Sequence, residues 1–346
     1  MEMNEPFRQA QFQRLPELEG MLQDINARLS PANIGMLQDF SPERMPKVFV
    51  HGPPRSGTTL FMQWLSDVGL AEVPTNLLSR FYGSPLVGAR IQQILTDSRY
   101  NFRDEILDFN SEIDFRSENG KTRGALSPNE FWYFWRRFLP FDELDYLTEG
   151  EIPCRAHLDE LRDELNALAN IFAKPFALKA MIMNQMIPAL SARFENALFV
   201  HIHRDPVFNI QSVLEARHRQ YGGFDTWYSF RIREYPQLEH LSPLESVAGQ
   251  VAAINRSIAL GVQSVPERRR IDIPYEDFCA NPNAHFERLK ASLELLGAPL
   301  TGMSSVGPRQ FEQQNHWRLK AYSQEEVEAA WSKMQAWAER AIARSC

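Results

Sequence analysis

The sequence predicts a three-layer α/β fold, in which a central parallel sheet is flanked by helices and the chain carries a mostly helical insertion. Two observations predict it. Four short apolar segments of strand length alternate with helical patterns, and a glycine-rich turn joins the first of them directly to a helix. Strands that alternate with helices form parallel sheets, because each helix returns the chain to the same end of the sheet. Hydrophobic residues make up 44% of the 346 residues, which is enough for the core of such a fold.

The chain begins with a predicted helical extension over residues 1–45. Its apolar residues recur at the spacing of an amphipathic helix: Leu15, Leu18, Met21, Leu22 and Ile25. We expect breaks at Ser30-Pro31 and Ser41-Pro42, because a proline inside a helix removes a hydrogen bond.

The first strand is predicted at Lys47–His51, a short apolar run. The turn at residues 52–59 follows, and an apolar stripe then predicts a helix that ends at Gly69. Residues 71–170 contain no clear strand pattern, so we expect a helical insertion on the acceptor side of any site at the sheet.

Three further strands are predicted in the second half of the chain, at Phe176–Lys179, Ala197–His203 and Arg270–Pro274. Helices are expected between them, and an amphipathic helix is expected over residues 327–341. No linker, low-complexity tract or repeat marks a boundary, so we predict a single domain over residues 1–346.

Composition and charge exclude several classes of protein. With 37 Lys and Arg against 44 Asp and Glu, the net charge is −7, whereas nonspecific nucleic-acid binders need a basic surface. The three cysteines, Cys154, Cys279 and Cys346, lie at no metal-ligand spacing, so we expect neither a structural metal nor a disulfide framework. No stretch is long and apolar enough for a signal peptide or a membrane span, and we expect a cytoplasmic protein.

The turn at residues 52–59 has the arrangement of a phosphate-binding loop. A glycine-rich turn between a strand and a helix directs several backbone N–H groups at one point, beside the positive end of the helix dipole. The loop of nucleoside triphosphatases reads G-x-x-x-x-G-K-[ST], but Thr58 occupies the lysine position here. The cation lies inside the loop instead, at Arg55, whose planar guanidinium can hold an anion through two hydrogen bonds. The predicted fold is therefore P-loop-like without the usual lysine.

Residues 54–60 resemble the 5′-phosphosulfate loop of sulfotransferases that use 3′-phosphoadenosine 5′-phosphosulfate (PAPS). The resemblance implies that PAPS is the co-substrate and that the chain is a PAPS-dependent sulfotransferase. It assigns the phosphosulfate to six consecutive loop residues: Arg55, Ser56, Gly57, Thr58, Thr59 and Leu60.

Two later segments carry the same resemblance. Arg204 in His-Arg-Asp-Pro, with Ser212 eight residues later, is similar to the family's 3′-phosphate site. Ser212 and Asn209 share one face of the predicted helix, so the serine hydroxyl can face the same anion as the guanidinium. The segment that begins at Tyr275 resembles the family's Tyr-Glu-Asp segment, whose tyrosine lies near the adenine.

The resemblance weakens near the C-terminus. Residues 315–318 and 323–326 are loosely similar to the loop that closes over the 3′-phosphate. The expected Arg-Lys-Gly is absent, and Arg309 is an approximate substitute. In all, the resemblance covers residues 47–69 and 176–335 and leaves the insertion mostly unaligned.

Sulfuryl transfer requires cations on the oxygens of the reacting group and a base near the acceptor proton. By analogy with phosphoryl transfer, no metal is required when arginine and lysine neutralise the leaving phosphate. Arg55 is the first candidate for this charge role. Lys179, at the end of a predicted strand, is the second, because a similarly placed lysine assists catalysis in the tyrosylprotein branch of the family. The alternative is a structural Lys179 that extends its ammonium from the sheet edge into solvent.

The general base remains open among three residues. In the tyrosylprotein branch a glutamate lies about 21 residues past the loop arginine, but that count leads from Arg55 to Asn76. The candidates are two glutamates and a histidine, the residue that cytosolic members use: Glu130, Glu72 and His157. We favour Glu130; the alternative is that it only stabilises the first turn of the following helix.

The aromatic run Phe-Trp-Tyr-Phe-Trp at residues 131–135 is a candidate lining for the acceptor site, since Trp and Tyr bury apolar area and keep a polar end. More often such a run belongs to the core. If part of it faces the acceptor, the acceptor is a hydroxyl on a small, partly apolar molecule, such as a lipid, polyketide, phenol or sugar conjugate.

Two other functions are compatible with the pattern. A P-loop kinase acting on a small molecule would share the strand, loop and helix, although Thr58 in the lysine position counts against it. A noncatalytic nucleotide-binding protein would keep the loop without turnover. The sequence favours the sulfotransferase.

Overall fold

The computed structural model describes residues 7–40, 45–100, 115, 117–118 and 121–343. Its strands are β1 (Lys47–His51), β2 (Ser117–Glu118), β3 (Lys121–Thr122), β4 (Phe176–Lys179), β5 (Ala197–His203) and β6 (Arg270–Pro274). The central sheet has the order β4-β1-β5-β6, and all of its neighbours are parallel. The predicted parallel sheet is confirmed, and its four strands have the predicted bounds.

Helices surround this sheet. In chain order they are α1 (Pro16–Leu37), α2 (Thr58–Asp67), α3 (Pro85–Thr96), α4 (Trp132–Phe138), α5 (Ile152–Arg155), α6 (Leu158–Phe172), α7 (Ile187–Arg193), α8 (Pro206–Tyr221), α9 (Tyr235–Leu238), α10 (Pro243–Gly261), α11 (Tyr275–Ala280), α12 (Pro282–Leu295) and α13 (Gln324–Ala343).

The sheet is the middle of three layers. Because side chains alternate along a strand, Val48 and Val50 of β1 face one layer, where they pack with Phe61 of α2. Phe49 faces the opposite layer, and its ring lies 4.9 Å from the ring of Phe194. Both layers are apolar and buried, as the continuous apolar strands predict.

Helix α1 continues through Pro31, so the predicted break at this residue is wrong. Buried asparagines fix the helix on either side of the proline. Asn26 Nδ2 donates to Arg80 O (2.8 Å), and Asn33 Oδ1 accepts from Leu86 N (2.8 Å). These tertiary hydrogen bonds offset the one that the proline removes. The other expected break, at Ser41-Pro42, lies outside the described residues.

The apolar stripe of α1 is less buried than its spacing predicts. Leu15, Met21 and Ile25 are exposed. Asn26 and Asn33 take the buried positions instead, because they satisfy backbone groups of the turn that precedes α3.

Within the described residues of the insertion at 71–170, the regular secondary structure is helical apart from the short strands β2 and β3. Helix α3 packs against α1 and α6, and Arg137 of α4 donates to both carboxylate oxygens of Glu164 on α6 at 2.7 Å. The antiparallel pair β2-β3 was not predicted, because strands of two residues carry no detectable alternation.

The C-terminal helix α13 packs along α10 and buries the apolar residues Val327, Met334 and Ala338. Cys154 and Cys279 are free thiols, and Cys346 lies outside the described residues. Within the described ranges, no helix has both the length and the apolar character needed to cross a bilayer.

Candidate active site

The loop at residues 52–59 joins β1 to α2 at the C-terminal edge of the sheet. Gly57 precedes α2 with φ +100°, a left-handed conformation that favours glycine. A Cβ atom on Gly57 would lie 2.4 Å from Cδ2 of Tyr275, so close packing also requires glycine. The hydroxyl of Ser56 is buried, and no described residue hydrogen-bonds to it. A buried donor without a partner at a helix N-terminus is suited to an anion.

Arg55 connects the loop to α8. Its backbone has φ 70°, a left-handed conformation that costs a residue with a side chain about 1–3 kcal/mol. Its Nε donates to Ser212 Oγ (3.2 Å), and its carbonyl oxygen accepts from Nη1 of Arg204 (3.3 Å). Arg55 and Arg204 are 149 residues apart in sequence, and the structure brings the two predicted phosphate motifs into direct contact.

Arg204 is buried at the end of β5. Its Nε donates to Asn315 Oδ1 and its Nη2 to Gln314 O, both at 2.7 Å, and its guanidinium lies 4.9 Å from the ring centroid of Tyr275. Burial lowers the pKa of Arg204, and the charge of Arg55 lowers it further. In the part of the chain that the structure describes, neither guanidinium forms an ion pair. Adjacent cations without carboxylate partners favour binding of an anion.

The segment at residues 314–319 closes over Arg204. Gln314 N donates to the hydroxyl of Tyr275 (3.2 Å), and Gln211 of α8 holds the segment by accepting from Arg318 N (2.9 Å). Burial raises the pKa of Tyr275 to about 12, so its phenol stays protonated. No residue pattern predicts a role for Gln314, because its contribution here is a backbone carbonyl oxygen.

The structure does not bring Arg309 to this site. Its side chain is exposed, and no hydrogen bond or ion pair joins it to Arg204 or to the loop. Nearby, Phe311 N donates to Cys279 O (2.8 Å) and anchors the segment on α11.

Lys179 ends β4 beside the loop and is buried. Its Nζ donates to Thr59 Oγ1 (2.6 Å) and to Glu130 Oε1 (3.0 Å). Trp132 Nε1 donates to the other carboxylate oxygen, Glu130 Oε2 (2.6 Å). Lys179 therefore does not extend into solvent, and the structure joins it to the favoured base candidate, 49 residues away.

The other two candidate bases lie elsewhere. The backbone of Glu72 forms a parallel β-bridge with Phe176, at the end of β4 opposite to Lys179. Burial raises the pKa of the Glu72 carboxyl group. His157 is exposed at the start of α6 and borders a separate cleft of about 1650 Å³, whose lining includes neither Lys179 nor Glu130. Of the three candidates, Glu130 is the one that contacts Lys179.

The aromatic run at residues 131–135 divides between the core and the site. Three of its members are buried in the core: Phe131, Phe134 and Trp135. Trp132 is half-buried beside Glu130, and its ring lies 6.3 Å from that of Phe230. Helix α4 begins at Trp132 and has no side-chain cap, so the carboxylate of Glu130 does not cap it.

An asparagine clamp that the sequence does not signal supports the start of the loop. Asn184 Nδ2 donates to Gly52 O (2.8 Å), and its Oδ1 accepts from Gly52 N (3.3 Å). The same Oδ1 lies 3.1 Å from Nδ1 of His51, whose pKa is lowered by burial to about 3, so the ring is neutral. A lone asparagine outside any motif carries no sequence signal.

Two histidines at the end of β5 share one carboxylate. Asp272 of β6 lies 2.8 Å from His201 Nδ1 and 2.8 Å from His203 Nε2. Burial alone would raise the pKa of Asp272, but the hydrogen bonds from the histidines outweigh it and lower the pKa. In the described parts of the chain, no group of three or more His, Cys, Asp or Glu residues is arranged to hold a metal ion.

The parallel sheet flanked by helices defines the chain as an α/β protein. The particular family follows from its sequence. The profile of the sulfotransferase family matches residues 46–298, from β1 to the end of α12. The chain belongs to the sulfotransferase family.

The chain is similar to several solved sulfotransferases at low sequence identity. Sulfotransferase STF9 from Mycobacterium avium aligns with a TM-score of 0.57 at 17% identity, over 95% of this chain and 86% of that chain. Sulfotransferase STF1 from Mycobacterium tuberculosis H37Rv aligns with a TM-score of 0.46 at 13% identity, over 90% and 81%. The sulfotransferase domain from the curacin biosynthetic pathway aligns with a TM-score of 0.40 at 17% identity, over 72% and 75%. A comparison with curated protein sequences gave no significant match.

Proposed function

We propose that this sulfotransferase moves a sulfuryl group from PAPS to a hydroxyl of a small, partly apolar acceptor. One observation carries the proposal: Nη1 of Arg204, in the segment after β5, donates to the carbonyl oxygen of Arg55, and among the residues that the structure describes neither guanidinium has a carboxylate partner. PAPS carries anionic groups at two ends, a 5′-phosphosulfate and a 3′-phosphate. ATP lacks the 3′-phosphate and leaves the second cation unused.

The donor would be held from both motifs. Backbone N–H groups and hydroxyls of the loop at residues 55–60 take the phosphosulfate, beside the N-terminus of α2. Arg204 and Ser212 take the 3′-phosphate, and Tyr275 lies near the adenine. The Arg55–Ser212 hydrogen bond is then exchanged for charge-assisted hydrogen bonds to the donor.

The transfer step uses the residues at the end of β4. The oxygen of the acceptor hydroxyl bonds to sulfur while Glu130 accepts the hydroxyl proton. At the same time, the bond between sulfur and the phosphate oxygen of PAPS breaks. Lys179 and Arg55 stabilise the negative charge on the departing phosphate oxygen. The hydrogen bonds from Lys179 and Trp132 orient the carboxylate, which keeps further lone pairs for the acceptor proton. Positioning and cations suffice, so the proposed mechanism uses no metal.

The surroundings of the proposed base support this acceptor class. Trp132, half-buried and packed on Phe230, provides apolar surface beside Glu130, which favours a hydroxyl on a lipid, polyketide, phenol or sugar conjugate. The net charge of −7 argues against a nucleic-acid acceptor, and we propose that the protein acts in the cytoplasm.

Calorimetric titration tests the donor. The proposal expects 3′-phosphoadenosine 5′-phosphate to bind more tightly than ATP with Mg²⁺. A preference for ATP would contradict the proposal and favour the P-loop kinase.

The Arg204→Ala variant locates the 3′-phosphate. We expect it to weaken binding of 3′-phosphoadenosine 5′-phosphate about 30-fold, which corresponds to the ~2 kcal/mol of a hydrogen bond to a charged group. Binding of 5′-AMP, which lacks the 3′-phosphate, should change much less. Arg269→Ala is the matched control, since this buried arginine also donates to backbone carbonyls but lies at the start of β6, away from the loop. Equal weakening of both nucleotides by Arg204→Ala would contradict the assignment.

A further inference from the structure

We propose that Asn76 is a positioning residue that holds Glu130 against Lys179. The inference rests on the proposed role of Glu130 as the base and explains how the acceptor side of the site is built. The hydrogen bonds of the Asn76 side chain go to the segment at residues 121–131, which carries Glu130.

Asn76 joins both ends of this segment. Its Nδ2 donates to Thr122 Oγ1 (3.0 Å) and to Gly124 O (2.9 Å). Its Oδ1 accepts from Asn129 Nδ2 (2.8 Å), and its backbone N donates to Ser127 O (2.9 Å). One residue therefore fixes the turn that leads from β3 to Glu130.

Asn129, which Asn76 holds, forms further hydrogen bonds that fix the backbone on both sides of Glu130. Its backbone N donates to Pro74 O (2.7 Å), and its Oδ1 accepts from Phe131 N (2.8 Å). Phe131 has φ 56°, a left-handed conformation that is uncommon for an aromatic residue, and its ring is buried. Glu130 lies between these two fixed residues, and its carboxylate reaches Lys179.

The strained backbone of Phe131 explains why the contacts of Asn76 matter. A left-handed conformation persists only where the surrounding contacts hold it. Truncating Asn76 removes the hydrogen bonds to Thr122 and Gly124 and leaves the amide of Asn129 without its partner. The segment can then relax, and the Glu130 carboxylate moves from its place. A displacement of about 1 Å at a reacting group lowers a rate by about 100-fold.

The test compares Asn76→Ala with Asn26→Ala. Asn26 is a matched control, because it also clamps a turn of the insertion: its Nδ2 donates to Arg80 O (2.8 Å) and its Oδ1 accepts from Gly83 N (2.7 Å). Both variants should lose similar thermal stability. Only Asn76→Ala should slow formation of 3′-phosphoadenosine 5′-phosphate from saturating PAPS, with the sulfuryl group going to water as sulfate or to 2-naphthol as 2-naphthyl sulfate, by about 30- to 100-fold. Its affinity for 3′-phosphoadenosine 5′-phosphate should stay unchanged.

A double variant with Asn76→Ala and Glu130→Gln tests whether Asn76 acts through Glu130 or whether its loss disturbs the whole protein. If Asn76 acts through Glu130, the double variant turns over at the rate of Glu130→Gln alone. The inference is wrong if the double variant is slower than Glu130→Gln by the full factor that Asn76→Ala causes alone. It is also wrong if Asn76→Ala is no slower than Asn26→Ala. If Glu130→Gln alone retains the full rate, Glu130 is not the base. That result contradicts the proposed function and is distinguishable from the results that test Asn76.

A crystal structure of Asn76→Ala gives a readout that does not depend on turnover. We expect Glu130 Oε1 to lie beyond hydrogen-bond distance of Lys179 Nζ. An unchanged contact between these two atoms would overturn the inference.

Discussion

The donor side and the acceptor side of the site balance their charges in opposite ways. On the proposed donor side, Arg55 and Arg204 lie together, and among the described residues no carboxylate forms an ion pair with either of them. On the proposed acceptor side, Lys179 forms an ion pair with Glu130. Under the proposed function, the donor supplies the anion for the two arginines, whereas the Lys179–Glu130 pair supplies both the cation and the carboxylate that the transfer step uses.

We expect variants on the two sides to differ in whether they change the affinity for the donor or only the rate of sulfuryl transfer. Changes on the donor side should alter donor affinity and rate together. Changes on the acceptor side should alter the rate and leave donor affinity nearly constant.

The largest effect is expected from Arg55→Ala. Loss of the loop cation should lower the single-turnover rate of sulfuryl transfer from PAPS about 1000-fold, because one of the two proposed cations that stabilise the charge on the leaving phosphate is then missing. Arg28→Ala is a control, since Arg28 forms only an exposed pair with Asp24. A noncatalytic nucleotide-binding protein would instead show the same background rate before and after the Arg55 change.

Glu130→Gln should have the next largest effect. We expect the transfer rate to fall about 100-fold, as for loss of a general base, while binding of 3′-phosphoadenosine 5′-phosphate changes less than about twofold. Glu72→Gln and His157→Ala, measured in parallel, should retain nearly the full rate. A larger loss in either of these variants would assign the base to that residue and contradict the role of Glu130.

The smallest effect concerns His203, which precedes Arg204 on the donor side. The hydrogen bond to Asp272 raises the pKa of His203. The resulting stabilisation is complete below the unfolded histidine pKa of about 6.5 and is lost as pH rises through the raised folded value. In urea unfolding, His203→Gln should lower the free energy of unfolding by about 0.5–1 kcal/mol near pH 6. The decrease should be smaller near pH 9, because His203 carries no charge there. An equal loss at both pH values would contradict this role.

The sequence predicts the fold well, because the signals of its strands are local. The four central strands have their predicted bounds, since β1, β4 and β5 are short, mainly apolar runs and β6 alternates polar with apolar residues. The loop around Arg55 and the helix start after Arg204 are also short motifs. Their contact is not local, but both follow parallel strands, β1 and β5, that are neighbours in the sheet.

The acceptor side was harder to predict, because its geometry depends on contacts between distant residues. Glu130 was one of three candidates, and only the folded chain shows it beside Lys179. The clamp by Asn76 and the continuation of α1 through Pro31 both depend on asparagine hydrogen bonds to backbone groups far away in sequence. Such bonds leave no periodicity or spacing that a sequence reveals.

The most direct test of the account is a crystal structure with 3′-phosphoadenosine 5′-phosphate bound. The account predicts that the 5′-phosphate accepts hydrogen bonds from the loop at residues 52–59 and that the 3′-phosphate contacts the guanidinium of Arg204. A nucleotide bound elsewhere, or one whose 3′-phosphate points into solvent away from Arg204, would contradict it.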